Sequence, residues 1–435
     1  MRYALLGRII AIIGLLTGSL QAQPFKGQSL KVLAFRDNHS EAVVKNLKKF
    51  EELTGAKVKM DLIASNTVAT KTMTDQMAGG SYDLYTVDEP FIPQLAPFFI
   101  PLDQWPQPKI VDKKELGLDQ YLPAAVSGTE FGGKNWGLPI NSNVYMYIYR
   151  QDIFNDPEEK KNFAARYGYA LAPAKTTEQF RDIAEFFTRP PKQYGFAPFT
   201  KKSEGTTVEA IWILSTFGVN IFDSELNVVL DVEKTAKALQ FYKDLMQFAP
   251  KGSTSWHHSE RMAAYRKGKL VQIMTWPGFL AGLEDVRKSR VVGKNAWDLP
   301  PKGPQGQSAP VAGTWALSIP KSSKNQSLAA SFARWWGSYT FGQTLVPAGM
   351  NPARRDLLTD KQLAAGNHWF AGILANFEQA VVRPRFPEYR KVSDRISYQF
   401  TKMVAGQVSA KDAATELKTD LEKLVSKLSR PKTSH

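Results

Sequence analysis

An α/β architecture is predicted by three features: strand-like and helix-like segments alternate from residue 30 onward, polar turns bound each short strand, and 435 residues exceed what one hydrophobic core usually organises. Residues 30–35 (LKVLAF) read as a short buried strand. Residues 41–53 place Val43, Val44, Leu47, Phe50 and Leu53 on one helical face, and Gly55 stops that helix. Val58, Met60 and Leu62 then alternate with Lys57, Lys59 and Asp61, the period of a strand with one polar face. A helix is predicted over 67–77, ended by Gly79-Gly80, and 83–87 supplies a third strand. This succession predicts βαβ units on a mainly parallel sheet, in a chain of two lobes or domains.

Further along, residues 136–149 (WGLPINSNVYMYIY) form a Gly/Pro turn, a polar triplet and a long β-prone run. Helices are predicted over 176–187, where Thr176 and Gln179 have capping-box spacing, and over 232–248, started by Asp231. Residues 270–275 read as a buried strand, 298–312 (DLPPKGPQGQSAPVA) as an irregular connection, and 314–319 as strand again. A helix over 328–339 would align Leu328, Phe332, Trp335, Trp336 and Tyr339; both tryptophans are assigned to the core. The last helix, 410–428, keeps Ala413, Leu417, Leu421, Leu424 and Leu428 in register, and 429–435 reads as a frayed tail.

The N-terminus reads as a secretory signal. Arg2 and Arg8 precede an apolar run from Ile9 to Leu16, which decays through Gly18 and Ser19 to a small residue at Ala22, the expected cut. That run is short of the roughly 20 residues that cross a bilayer. The absence of cysteine excludes a disulfide scaffold, a thiolate metal site, a cysteine nucleophile and a lipidated N-terminal cysteine. Fifty-six Lys and Arg against 41 Asp and Glu give a formal charge of +15, but the lysines are scattered over helix faces (Lys45, Lys48, Lys49, Lys237, Lys243, Lys418, Lys423). No nucleic-acid-binding motif accompanies them, so a solvated basic surface is expected and no nucleic-acid partner.

Catalytic and metal motifs are missing: H-E-x-x-H, G-x-S-x-G, the P-loop and G-x-G-x-x-G do not occur. The five histidines (His39, His257, His258, His368, His435) have no metal-ligand spacing, and the His257-His258 pair is expected at the surface. No metal and no cofactor are expected. In open α/β sheets the ligand crevice lies beyond the carboxyl ends of the strands. The loops there carry Asp37, Asn38 and His39, then Ser65, Asn66 and Thr67, then Asp88 and Glu89. Asn38 and Asn66 suit either helix capping or ligand contact.

Four segments, in order, point to one family: residues 134–154 (KNWGLPINSNVYMYIYRQDIF), 173–180 (PAKTTEQF), 311–336 (VAGTWALSIPKSSKNQSLAASFARWW) and 383–389 (RPRFPEY). Together they resemble the extracellular solute-binding proteins of ABC importers, in the carbohydrate-binding group that includes maltose-binding protein. The resemblance spans essentially all of residues 28–428. It implies a two-lobed periplasmic-binding-protein fold, with the ligand held in the cleft between lobes joined by crossing segments. On that pattern residues 23–141 and 314–347 form the N-terminal lobe and residues 142–313 and 348–428 the C-terminal lobe. The crossings fall near Asn141 to Val144, Ala312 to Thr314 and Ala348 to Pro352. The implied activity is capture of a carbohydrate or polyol in the periplasm by a monomer that delivers it to the importer's permease subunits.

A neutral sugar needs hydrogen-bonding groups for its hydroxyls and flat apolar partners for its C–H faces. The resemblance places a sugar-binding acid at Asp88, whose other reading is a helix cap before Pro90. Asn143 sits at the first crossover, at a position the family often uses for ligand; some relatives have an acid there, and its other reading is a turn residue. Trp276, beside Pro277-Gly278 at a strand end, suits either a stacking platform or a core. Gly313, Thr314 and Trp315 lie in the returning crossover, where the resemblance suggests a glycine that lets backbone approach the ligand. Arg354 and Tyr389 are candidates for reaching the cleft from the far lobe. The rival readings are a secreted glycoside hydrolase using Asp88 with another cleft acid, and a binding protein for an acidic or phosphorylated solute.

Overall fold

The computed structural model describes residues 23–110 and 117–427; the proposed signal segment, Leu428 and the tail lie outside them. Among the described residues ten strands form two main sheets and one hairpin: β1 Ser29–Phe35, β2 Lys57–Ile63, β3 Leu84–Asp88, β4 Glu130–Phe131, β5 Lys134–Asn135, β6 Leu138–Val144, β7 Met146–Arg150, β8 Gln272–Thr275, β9 Asn295–Asp298 and β10 Ala312–Ser318. The larger sheet has the order β2-β1-β3-β10-β6, the smaller one β8-β7-β9, and β4 pairs only with β5.

The expected βαβ units are present, since β1 pairs in parallel with both β2 and β3. Among the ten strands, parallel pairing ends there. β10 returns from the far part of the chain and inserts antiparallel between β3 and β6, and the small sheet is antiparallel throughout. The mainly parallel expectation therefore holds only for the first three strands, because strand direction in long-range pairs is not encoded by local periodicity.

β1 is buried on both faces. Leu30, Val32 and Ala34 enter one cluster with Phe50, Phe332, Trp335 and Trp336, while Leu33 enters another with Tyr85, Val87 and Phe91. The Asn38–Thr54 helix covers the first face, where Phe50 meets Phe332 edge-on at 4.9 Å. It begins three residues earlier than expected, with Asp37 as its cap accepting from the Ser40 amide at 2.8 Å. Gly55 ends it in the left-handed conformation at φ 75°. Val44, expected on the buried face, is exposed, and Ala42 takes its place beside Val43.

The second lobe is helical around its small sheet: the helices Thr177–Phe186, Glu204–Thr216, Val232–Leu245, Tyr389–Val404 and Ala410–Val425 share one hydrophobic cluster with Tyr145 and Tyr147. Thr176 caps the first of these, accepting from the Gln179 amide at 3.3 Å. The Gln179 side chain reaches one residue further back, to the Lys175 amide, so the box is displaced. The helix at residue 326 ends at Trp336; Gly337 breaks it and Ser338 caps a new one, so Tyr339 starts Tyr339–Leu345 and does not belong to the preceding face.

Inside this lobe lies a fully buried ion pair. Arg261 Nη1 is 3.2 and 3.3 Å from the two Glu209 oxygens, Tyr242 donates to Glu209 at 2.8 Å, and Tyr145 bridges Glu209 and Arg261. Neither charge has contact with water. Removing one partner strands the other in a low-dielectric interior, so Glu209→Ala is expected to lower the unfolding free energy in urea by about 3–5 kcal/mol. A loss below about 1 kcal/mol would contradict this packing.

Candidate functional site

The cleft lies where the two sheets meet, and its position follows from strand direction. The carboxyl ends of β1, β3 and β6 point to one edge of the larger sheet, and β10, running the other way, brings its beginning to that edge. Register puts Asp88, Trp315 and Asn141 side by side across three strands, with Gly313 opposite Asn143. In the smaller sheet Met146 pairs with Thr275, so the end of β8, and Trp276 after it, faces the same space. The result is a cavity of about 510 Å³ lined from both lobes.

Seven of the sequence-derived candidates line it: Asn38, Asn66, Asp88, Asn143, Trp276, Gly313 and Trp315. Asn38 and Asn66 are exposed on the first lobe and neither is a cap, since Asp37 and Ala64 hold those positions. Trp315 stacks on Phe35 with ring centroids 4.0 Å apart. Trp276 is half-buried against Tyr145 at 5.1 Å, above the Glu209–Arg261 pair. A Cβ on Gly313 would sit 3.6 Å from the Trp276 ring and 3.4 Å from Arg383 Nη2, so the glycine leaves open the narrow space between them.

Four candidates lie elsewhere, and each correction has a local cause. His39 is buried on the opposite side of its helix, where its Nε2 accepts from the Trp336 indole at 2.8 Å; burial lowers its pKa to about 3, so the ring is the neutral acceptor that this bond requires. Thr314 alternates with Gly313 and Trp315 along β10 and points away, packing against Gly128. Arg354 is 4% exposed, forked onto Asp356 at 3.0 and 2.6 Å and set over the Tyr121 ring. Tyr389 is buried, with its hydroxyl donating to Glu204 and its ring edge-on to Phe91. The histidine pair is split: His258 is buried, bonded to Thr275 at 2.9 Å and covered by the Phe279 ring at 3.9 Å, while His257 is partly exposed, lines the cleft and caps the helix that His258 begins. Among the described residues, no group of three or more His, Asp or Glu is placed to hold a metal.

The sequence reading missed the charged floor. Arg383, 3% exposed, forks onto Asp88 at 2.6 and 3.0 Å, reaches Glu204 at 3.0 Å and lies 3.7 Å from Glu89. Burial opposes its charge, but Asp88 and Glu89 outweigh burial and hold its pKa well above the ordinary range. Glu204, at the start of its helix, also accepts from Ser393 at 2.5 Å, and burial raises its pKa. Burial likewise pushes Glu89 up to about 7, against the pull of Arg383 and with the repulsion of Asp88. Phe279, 42% exposed at the mouth of the cleft, was also missed. Its sequence signal was only nearness to Trp276; Arg383 had none beyond the RPRFPEY segment.

A carboxyl whose pKa rises on folding favours the native state most at low pH, below its unfolded value of 4.5, and loses that contribution as pH climbs through about 7. Urea unfolding of wild type and Glu89→Gln across pH 4–8 should therefore show the variant gaining relative stability between about 4.5 and 7, by roughly 3 kcal/mol in total, then levelling off. A constant difference across that range would contradict the assignment.

Comparison with known proteins gives a consistent result. The family described as bacterial extracellular solute-binding protein matches residues 36–339. A probable ABC transporter-binding protein of Deinococcus radiodurans is 28% identical over 289 residues, 64% of this chain, and the match spans just under two thirds (66%) of that relative. A mannitol-binding protein of Pseudomonas aeruginosa is 24% identical over 417 residues, 89% of this chain and 90% of the relative. Among solved structures, an ABC transporter solute-binding protein from Agrobacterium radiobacter K84 in complex with ribitol superposes with a TM-score of 0.81 at 24% identity, covering 92% of this chain and 100% of that one. A maltose-bound protein of T. maritima gives 0.81 at 23% identity over 91% and 99%. With the family match running from the end of β1 past the helix at 326–336, the chain belongs to the bacterial extracellular solute-binding proteins and has their two-lobed α/β fold.

Proposed function

We propose that this protein is the periplasmic capture component of an ABC importer, holding a neutral carbohydrate or polyol between its lobes and delivering it unchanged to the membrane permease. The observation that carries the reading is the lining of the cleft. Neutral amides (Asn38, Asn66, Asn143) and aromatic faces (Phe35, Trp315, Trp276, Phe279) come from both lobes, the combination that hydroxyls and sugar C–H faces require. The ligands in the names of the relatives and neighbours, mannitol, ribitol and maltose, support the same class.

The pairing of the floor's charges supports capture over hydrolysis. Asp88 is engaged by Arg383, and Glu204 by Arg383, Tyr389 and Ser393, so neither stands free as a proton donor or nucleophile. Arg383 in turn is committed to carboxylates.

The hinge boundaries proposed are the crossings near residues 141–144, 312–314 and 348–352. They are supported by their lying side by side: Gly313 pairs with Asn143, Asn141 bridges Pro352, and the Ser142 amide donates to the Asn351 carbonyl at 3.2 Å. Export to the periplasm is supported by the family and by the apolar segment after Arg8. Among the described residues, no helix is long and apolar enough to cross a membrane. A guest that binds the closed arrangement better than the open one shifts the lobes toward closure by its differential affinity.

Thermal unfolding with a panel of neutral polyols, mono-, di- and trisaccharides and sugar acids tests this reading. At a concentration 100 times its Kd, a true guest should stabilise the protein by about 2.7 kcal/mol, with the compound recovered unchanged. Stabilisation by sugar acids alone, or release of a hydrolysis product, would overturn it.

A further inference from the structure

Three side-chain amide atoms at the junction of the lobes are buried without a hydrogen-bond partner: Asn141 Oδ1, Asn143 Oδ1 and Asn351 Nδ2. An unsatisfied buried polar atom costs about 1–3 kcal/mol, so three on neighbouring crossing segments call for a physical reason. Two of them converge. A methyl group on Gly278 would lie 3.4 Å from Asn351 Nδ2 and 3.8 Å from Asn143 Oδ1, so a donor and an acceptor look onto the same point above a bare Cα. That point belongs to the cleft, since Asn141, Asn143 and Gly278 all line it.

The surroundings hold the pair in place. Asn143 is fixed by its pairing with Gly313, and Asn351, 1% exposed, by its carbonyl on the Ser142 amide and by the adjacent Asn141–Pro352 bridge. Gly278 comes from the other direction, on the 3-10 segment Pro277–Leu283 that follows Trp276.

We propose that Asn143 and Asn351 form, over Gly278, a two-point seat for one hydroxyl group of the guest, which makes them specificity-determining residues. The amide oxygen of Asn143 accepts the guest's O–H, and the Asn351 N–H donates to the same guest oxygen. A hydroxyl donates and accepts at once; an ether oxygen or a carboxylate only accepts, and an ammonium only donates. The seat therefore reads the presence of a hydroxyl at one position of a neutral polyol or sugar. It rests on the functional reading above and deepens it, because a site built to hydrogen-bond a hydroxyl rejects the analogue lacking it far more strongly than an apolar pocket does.

Gly278→Ala is the sharpest test, because its backbone is outside the left-handed region and the added methyl meets its neighbours at ordinary contact distance while filling the seat. Calorimetric titration with D-mannitol, ribitol and maltose, then with the monodeoxy analogues of whichever binds most tightly, compares the variant with wild type. Without guest, the variant should melt within about 2 °C of wild type. It should bind the best guest at least about tenfold more weakly. In wild type one deoxy analogue should lose at least about tenfold, and that loss should shrink in the variant, as coupled contacts require. Wild-type affinity in Gly278→Ala, beside a wild-type protein that binds, would overturn the seat and leave the functional reading standing. If Gly278→Ala does not fold, Asn143→Ala takes its place, and unchanged affinity there overturns the proposal equally. A wild-type protein that binds none of the three compounds counts against the functional reading itself and removes the seat with it.

Discussion

Arg383 lies where three parts of the chain converge, and its guanidinium holds the floor of the cleft in one piece. Asp88 and Glu89 reach it from the end of β3, Glu204 from the start of a second-lobe helix, and its own segment runs beside the returning crossover, where the Ala312 amide donates to the Val381 carbonyl at 2.8 Å. One buried cation faces three carboxylates: burial raises the pKa of two of them, Glu89 and Glu204, and the third, Asp88, is gripped bidentately. Such a cluster contributes little to net stability, because desolvation offsets most of the attraction. What it supplies is definition: it sets where β3, the Glu204 helix and the third passage of the chain stand relative to one another.

Above this floor, neutral groups share the lining with the charged side chains of Arg36, Asp37, Lys202, Arg390 and Asp394. The neutral part of the lining offers the solvent-facing amides of Asn38 and Asn66 on one side, and Trp276, Phe279 and Asn143 on the other. These groups recognise hydroxyls and C–H faces and have little to offer a free carboxylate or phosphate. The aromatic platforms are packed in place, Trp315 by stacking on Phe35 and Trp276 against Tyr145, whose hydroxyl is tied to the buried Glu209–Arg261 pair. Rigid aromatic walls limit the ordering cost of closing on a guest.

Much of this was legible in the sequence because it is local. The strand–helix alternation of residues 29–88 and the caps at Asp231, Thr176 and Gly55 follow from periodicity and capping chemistry, and the candidates at strand ends follow from where parallel strands point. The helix Glu204–Thr216 has no amphipathic pattern to read, because nearly every residue in it is buried. Its first residue, Glu204, was therefore invisible as part of the site. Arg383 and Asp88 are 295 positions apart, and no spacing rule joins them. His39 and Thr314 were misplaced by a single step of helix or strand phase, which turns a side chain to the opposite face. Arg354 was misplaced because its partner, Asp356, is only two residues away, and a local fork outcompetes a reach into the cleft.

The crystal structure of the protein with the polyol or sugar that stabilises it most is the most direct measurement of the central claim, that the guest is gripped intact by both lobes at once. The expected density shows one unmodified guest in the cleft, with its hydroxyls on Asn66 or Asn38 from the first lobe and its C–H face against Trp276 or Phe279 from the second. A guest bound to one lobe alone, seated outside this cleft, or present as cleaved fragments would contradict it.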